Sequence, residues 1–104
     1  MNLYQKQDGA MALHWATRYG FMNVVEDLLS VGVDVEALDN WGQSAIVIAA
    51  HMNSPQLCSQ FVNVLLEAGA DVNSNDAGWT ALYYAAQKNN HDCYNTIKSA
   101  GGFC

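Results

Sequence analysis

Three cysteines (Cys58, Cys93, Cys104) and three histidines (His14, His51, His91) are the residues of this 104-residue chain best suited to act as nucleophile, base or soft metal ligand. His51 and Cys58 stand seven positions apart, and His91 precedes Cys93 by two. A Cys–His dyad would need a thiolate within hydrogen-bond reach of an imidazole, in a pocket that excludes water. No C-x-x-C, H-E-x-x-H, G-x-S-x-G or phosphate-cradling glycine loop accompanies them. The plainer reading is that Cys93 packs as a small apolar residue and that His51 and His91 sit near turns. No catalytic residue, metal site or cofactor is expected, and the chain reads as a non-enzyme.

The start, "MNLYQKQDGA", lacks the basic segment and apolar stretch of a secretory signal. An odd number of cysteines without such a signal is expected to remain as reduced thiols in an intracellular protein, cytoplasmic or nuclear. Ten acidic against four basic side chains give a net charge of −6. That balance repels nucleic acid and anionic lipid, which both demand a Lys/Arg surface. No apolar run approaches the roughly 20 residues that span a membrane. A protein partner remains.

What positions these residues is a repeat. "GAMALHWAT" begins at Gly9, "GQSAIVIAA" at Gly42 and "GWTALYYAA" at Gly78, at spacings of 33 and 36 residues. Each phrase is followed by a turn ("GFMN", "NSPQ", "NHDC") and then by a second periodic stretch. In the first unit that stretch carries Val24, Val25, Leu28 and Leu29; in the second, Phe61, Val62, Leu65 and Leu66. The spacing predicts a helix with one apolar stripe, ended by Gly32 or Gly69. "VDVEALDNWG" and "ADVNSNDAGW" then suit hairpin-like connectors. The pairs Ala49–Ala50 and Ala85–Ala86 let neighbouring first helices approach closely, and stability must come from such interfaces. Trp15 and Tyr84, at equivalent positions, are expected to pack between units.

The second unit is about four residues longer, close to one helical turn. Ser54 fits an N-cap and Pro55 the first helical position. Leu57 is expected on the apolar face one turn before Phe61. Lys98 replaces the leucine of Leu29 and Leu66, and "HDCYNTIKSA" keeps only Cys93 and Ile97 inward, as a polar terminal repeat would. The opposite end, with "MNLYQKQ" before Trp15, Tyr19 and Phe21, is thinly covered. Leu3 and Tyr4, preceding repeats or a partner would have to cover it.

These three phrases, each leading to a V-x-x-L-L-like helix and then "GVDVE" or "GADVN", resemble the ankyrin repeat over about residues 6 to 101. The expected fold is all-α, an ankyrin-repeat solenoid of stacked helix–turn–helix units with projecting hairpin-like loops. It forms one domain, 1–104, with repeats about 6–38, 39–74 and 75–104. The family's Thr-Pro is Met11-Ala12, Ser44-Ala45 and Thr80-Ala81 here, and its histidine survives only as His14. Ser44 and Thr80 are expected to cap their helices; Met11 cannot. His14 is expected to bond backbone near the loops.

The resemblance implies a non-catalytic module that binds a partner protein through loop tips and the exposed face of the first helices. Carried over, that surface is Gln7, Asp8, Ala10, Arg18 and Tyr19 in unit one. Units two and three contribute Asn40, Trp41, Gln43, His51 and Met52, and Asp76, Ala77, Trp79, Gln87 and Lys88. Trp41 and Trp79 flank loop glycines, where a tryptophan serves either as a partner's anchor or as packing against the next loop. Asp34, Glu36, Asp39, Asp71 and Asp76 make the loop side acidic, which leans toward a basic or polar partner segment. The alternative is a targeting or regulatory segment of a longer enzyme or channel. A monomer is expected, with self-association through the N-terminal face as the variant. "LLEAGADVNS" also resembles the stretch that asparaginyl hydroxylases modify, with Asn73 as acceptor, although the plainer and preferred reading of Asn73 is a turn residue. One added oxygen in the intact mass after incubation with such an enzyme would assign the modification, and an unchanged mass would remove it.

Overall fold

A computed structural model describes residues 6–39, 42–52, 54–76 and 79–102, with side chains from Met11 onward except those of 55, 75, 76 and 79. Three helix pairs follow one another: α1 (Lys6–Tyr19) with α2 (Met22–Ser30), α3 (Ala45–Ala50) with α4 (Pro55–Glu67), and α5 (Ala81–Gln87) with α6 (His91–Ser99). The first helices lie side by side, α3 between α1 and α5, and each packs on its own second helix. A two-residue antiparallel hairpin, β1 (Asn75–Asp76) with β2 (Trp79–Thr80), forms the second connector, pairing Asn75 with Thr80. The architecture is the all-α solenoid expected.

The core runs through the stack. Leu13, Ile46 and Leu82 occupy one repeat position and are all buried, as are Ala16, Ala49 and Ala85. All six residues of α3 are buried, because helices flank it on both sides. In the second row Val25 and Leu28, Phe61, Val62 and Leu65, and Cys93 and Ile97 point inward. Val24 departs from the expected stripe and is 45% exposed.

Each second helix ends in the same way. The glycine N–H (Gly32, Gly69, Gly101) bonds the carbonyl of Leu29, Leu66 or Lys98, and the next N–H bonds that of Leu28, Leu65 or Ile97. This two-bond closure needs a left-handed backbone, and Gly32 and Gly69 stand at φ 89° and 94°. In the turn before α6, Asn89 takes that conformation at φ 53°, and the Asn90 carboxamide oxygen accepts from the Cys93 N–H at 3.2 Å.

The extra turn of the second unit is helix. α4 has 13 residues against nine in α2 and in α6. The Ser54 hydroxyl accepts the Leu57 N–H at 3.3 Å, with Pro55 in the first turn. Leu57 is 40% exposed, however, and Cys58 takes its place as the buried residue of that turn. Cys58, Phe61, Val62 and Leu65 are spaced i, i+3, i+4, i+7, which is the narrower and truer stripe.

Two further expectations are corrected. The first helix does not begin beside Met11: α1 runs back to Lys6, and Gly9 lies inside the helix, not at a loop tip. Ser44 and Thr80 occupy the N-cap positions of α3 and α5 with extended backbones, yet neither side chain takes a capping bond. The Ser44 hydroxyl meets that of Ser74 at 2.8 Å, so it joins a unit to the following connector.

The cysteines are not all thiols. Cys58 of α4 and Cys93 of α6 form a disulfide, with Cα atoms 5.6 Å apart, closing a loop of 35 positions. The expectation of reduced thiols fails here because the extra turn of α4 carries Cys58 onto the face that meets α6. The neighbouring hydroxyls of Ser59 and Thr96 meet at 2.8 Å across the same seam.

Closing a loop of that length is expected to add about 4 kcal/mol by the chain-entropy account. Urea unfolding with and without reductant measures it, and a Cys58→Ala/Cys93→Ala variant should lose the sensitivity to reductant. For the hydroxyl pair, Ser44→Ala and Ser74→Ala should each cost about 1 kcal/mol, with the double variant costing little more than either. Additive losses would show that the two hydroxyls act separately.

Candidate functional site

The face made by the first helices and the connectors is built around Asp39. Its N–H donates to the Gln43 carbonyl at 2.9 Å, and its Oδ1 accepts the Gln43 N–H at 2.9 Å. Its Oδ2 pairs with the Arg18 guanidinium at 3.1 Å, while Asp39 itself is nearly buried. One carboxylate therefore closes the first connector and ties it to the end of α1. His14 does the same from below: its Nε2–H donates to the Ala37 carbonyl at 2.8 Å, as expected of it. Val47 and Tyr83, at the equivalent positions, have no such group.

Four of the expected contact residues converge. Arg18, Gln43, His51 and Met52, with Ile48 as floor, line a hollow of about 290 Å³ between units one and two. The mouth mixes a guanidinium, an amide, an imidazole and a thioether. Such a surface can hold one side chain of a partner by stacking and hydrogen bonding. His51 and Tyr84 rings lie 4.1 Å apart, so the rim of this hollow is continuous with unit three.

The other expected residues are distributed differently. Tyr19 is exposed and stacks on Trp15, ring centroids 5.0 Å apart. Trp15, expected between units, is itself 59% exposed, with no helix pair among the described residues on that side. Tyr84, its equivalent, does pack on the neighbouring unit. Gln87 and Lys88 are exposed at the end of α5. Gln7, Asp8 and Ala10 belong to α1 and not to a connector, and their side chains lie outside the described residues. Asn40, Trp41 and Ala77 also lie outside them, and Asp76 and Trp79 are placed only as backbone in the hairpin.

The connector acids have local work. Asp34 Oδ1 accepts the Glu36 N–H at 3.0 Å, and Asp71 Oδ1 accepts the Asn73 N–H at 2.9 Å, the same turn in successive units. Glu36 accepts the Asp71 N–H at 3.1 Å, and Asn73, its equivalent, donates through Nδ2 to the Gly101 carbonyl at 3.3 Å. The acidity expected to attract a basic partner is in large part connector geometry. Asn73 likewise has a bridging part in the stack. One contact candidate was missed from the sequence: Leu38, 59% exposed beside Asp39. A leucine set among Asp and Asn in "EALDN" was the available signal.

The two thiols nearest to histidine in sequence are joined to each other. Among the described residues no three His, Cys, Asp or Glu side chains gather where a metal ion could sit, and no helix is long and apolar enough to cross a membrane.

Comparison with known proteins agrees with the fold. The family model for ankyrin repeats, three copies, matches residues 13–102. The chain is 32% identical over 86% of its length to the nuclear factor NF-kappa-B p105 subunit of Rattus norvegicus, and 33% identical over 93% to the E3 ubiquitin-protein ligase KEG of Arabidopsis thaliana. It spans only 9% and 6% of those two proteins. A crystal structure of an ankyrin repeat domain from Acinetobacter baumannii superposes with a TM-score of 0.82 at 30% identity, covering 88% of this chain and 47% of that one.

Asp39→Ala removes the acceptor of the Gln43 N–H within the connector as well as the partner of Arg18, whereas Arg18→Ala leaves the Gln43 bond in place. Thermal melts should therefore show the larger loss for Asp39→Ala, and equal losses would deny the carboxylate its part in closing the connector.

Proposed function

Because this chain belongs to the ankyrin-repeat family, whose repeats are in general protein–protein interaction modules, we infer that it binds a partner protein along the first-helix and connector face. The observation that carries this reading is the convergence of Arg18, Gln43, His51 and Met52 around one hollow. The contact surface extends from there to Tyr19 and Leu38 on one side and to Gln87 and Lys88 on the other. Trp41 and Trp79 are its proposed anchors. Tryptophans seated in a partner are the usual sites where truncation costs most, about 2 kcal/mol or more. With much of the connector acidity engaged locally, a polar or apolar segment suits this face better than a strongly basic one.

A second reading has its own support. The matched relatives carry names as different as a nuclear factor subunit and a ubiquitin-protein ligase, and this chain corresponds to under a tenth of either. The segment would then target or regulate an activity housed elsewhere in a longer chain. Both readings leave the repeats themselves non-catalytic. Hydroxylation at Asn73 remains part of the proposal only if the Gly101 bond is released to the modifying enzyme. Cytoplasmic or nuclear placement is proposed as well, although a disulfide persists more readily in oxidising surroundings. Mass analysis of protein whose thiols are blocked at lysis weighs the two.

Affinity capture from lysate with the parent chain and with Trp41→Ala/Trp79→Ala tests the main reading. The double variant is expected to lose the captured partner while its circular dichroism stays that of the parent. Equal capture by both would remove the tryptophans from the interface, and lost helicity would make them structural.

A further inference from the structure

The seam between α4 and α6 is apolar on one side only. α4 brings Cys58, Phe61, Val62 and Leu65 to it, all fully buried. Of the nine residues of α6 only Cys93 and Ile97 are buried. Lys98 stands exposed where α2 and α4 carry Leu29 and Leu66. Polar support comes from the Ser59 and Thr96 hydroxyls at 2.8 Å. The Thr96 hydroxyl donates to the Asp92 carbonyl at 2.9 Å, which leaves Ser59 as the donor across the seam. The Cys58–Cys93 bond therefore carries a large share of what seats α6.

Neither cysteine is a repeat residue. Cys58 lies in the added turn of α4, and the position of Cys93 is Val24 in the first unit. Both are 0% exposed. An external thiolate must approach one sulfur to displace the other, and it reaches them only when α6 lifts from α4. With the bond broken, Ile97 and one hydroxyl pair have to bring α6 back. α5 packs on α6, and its Tyr84 ring lies 4.1 Å from that of His51 at the rim of the hollow. Whatever loosens α6 is felt there.

We propose that Cys58–Cys93 is a reversible thiol switch. Joined, the two sulfurs fix α6 on α4; reduced, they let α6 loosen, and Tyr84 leaves its fixed place beside His51. A thiolate of a cellular dithiol attacks one sulfur, breaking the S–S bond and forming a mixed disulfide. The second sulfur of the dithiol then attacks that mixed disulfide and leaves with the first as an internal disulfide. Two electrons pass to the protein, and both cysteines take up protons. Glutathione disulfide runs the same steps in reverse. Within a reducing compartment a bond of this kind is transient and redox-sensing, not a permanent staple. Its effect on a partner rests on the contact face proposed above; the switch itself does not.

Hydrogen exchange read by mass spectrometry on the 104-residue chain, before and after dithiothreitol, tests it. Alkylation should rise from one cysteine to three. Protection of the α6 amides should fall by roughly tenfold or more, while that of α1 and α2 holds. Glutathione disulfide should restore the starting pattern. In proton NMR the His51 ring signals should move on reduction and those of His14 stay. Three alkylated cysteines with unchanged α6 protection would mean that two thiols pack as well as the bond, and would overturn the proposal. So would protection lost throughout the chain, or a bond that glutathione disulfide does not build. An unmoved His51 removes the link to the hollow. The Cys58→Ala/Cys93→Ala variant should ignore both reagents, and a response from it would take the effect away from this bond. Failure to find a partner would sink the contact face and leave every one of these readouts untouched.

Discussion

A helix pair of this kind has one apolar surface too many. Its two helices cover each other along one seam, and the remaining seam has to be covered by a neighbour. Ala16, Ala49 and Ala85 make that possible, since a methyl group at each contact lets α1, α3 and α5 lie against one another. Six residues suffice for α3 because helices bury it on both sides; alone, a helix so short would not hold in water. Stability is shared between units and belongs to none of them singly.

Polar links set the register that apolar contact leaves loose. Glu36 reaches the Asp71 N–H, Asn73 reaches the Gly101 carbonyl, Ser44 meets Ser74, and Ser59 meets Thr96. The Ser44–Ser74 pair ties the second unit to its own connector; the other three join successive units, and two of them arise from one repeat position occupied first by an acid and then by an amide. The connectors are held from both ends, which gives the face above them a definite shape. A surface that keeps its form before a partner arrives loses less conformational freedom on binding.

Much of this was legible in the residues. Period, turn chemistry and helix-ending glycines located the second helices, and the four-residue insertion read correctly as an added turn beginning at Ser54. The failures share one cause, which is that a neighbour's side chain cannot be seen from within a repeat. Ser44 looked like a cap until Ser74 stood opposite. Leu57 looked like the apolar residue of the added turn until Cys58 met Cys93. Met11 gave no sign that α1 would run back to Lys6. Of the proposed contact face, Arg18, Gln43, His51 and Met52 were named from family positions and line one hollow, whereas Leu38, whose counterpart is Asn75, was not named.

The Cys58–Cys93 bond also has a mechanical meaning. A rod of stacked units pulled from its ends would yield by peeling units away in turn, each releasing its length to the tether. With α4 and α6 locked together, the 35 positions between the two sulfurs, about 120 Å of extended chain, stay out of reach of the load. Under tension the molecule is a short extensible segment in series with a latch, and a reductant lengthens it.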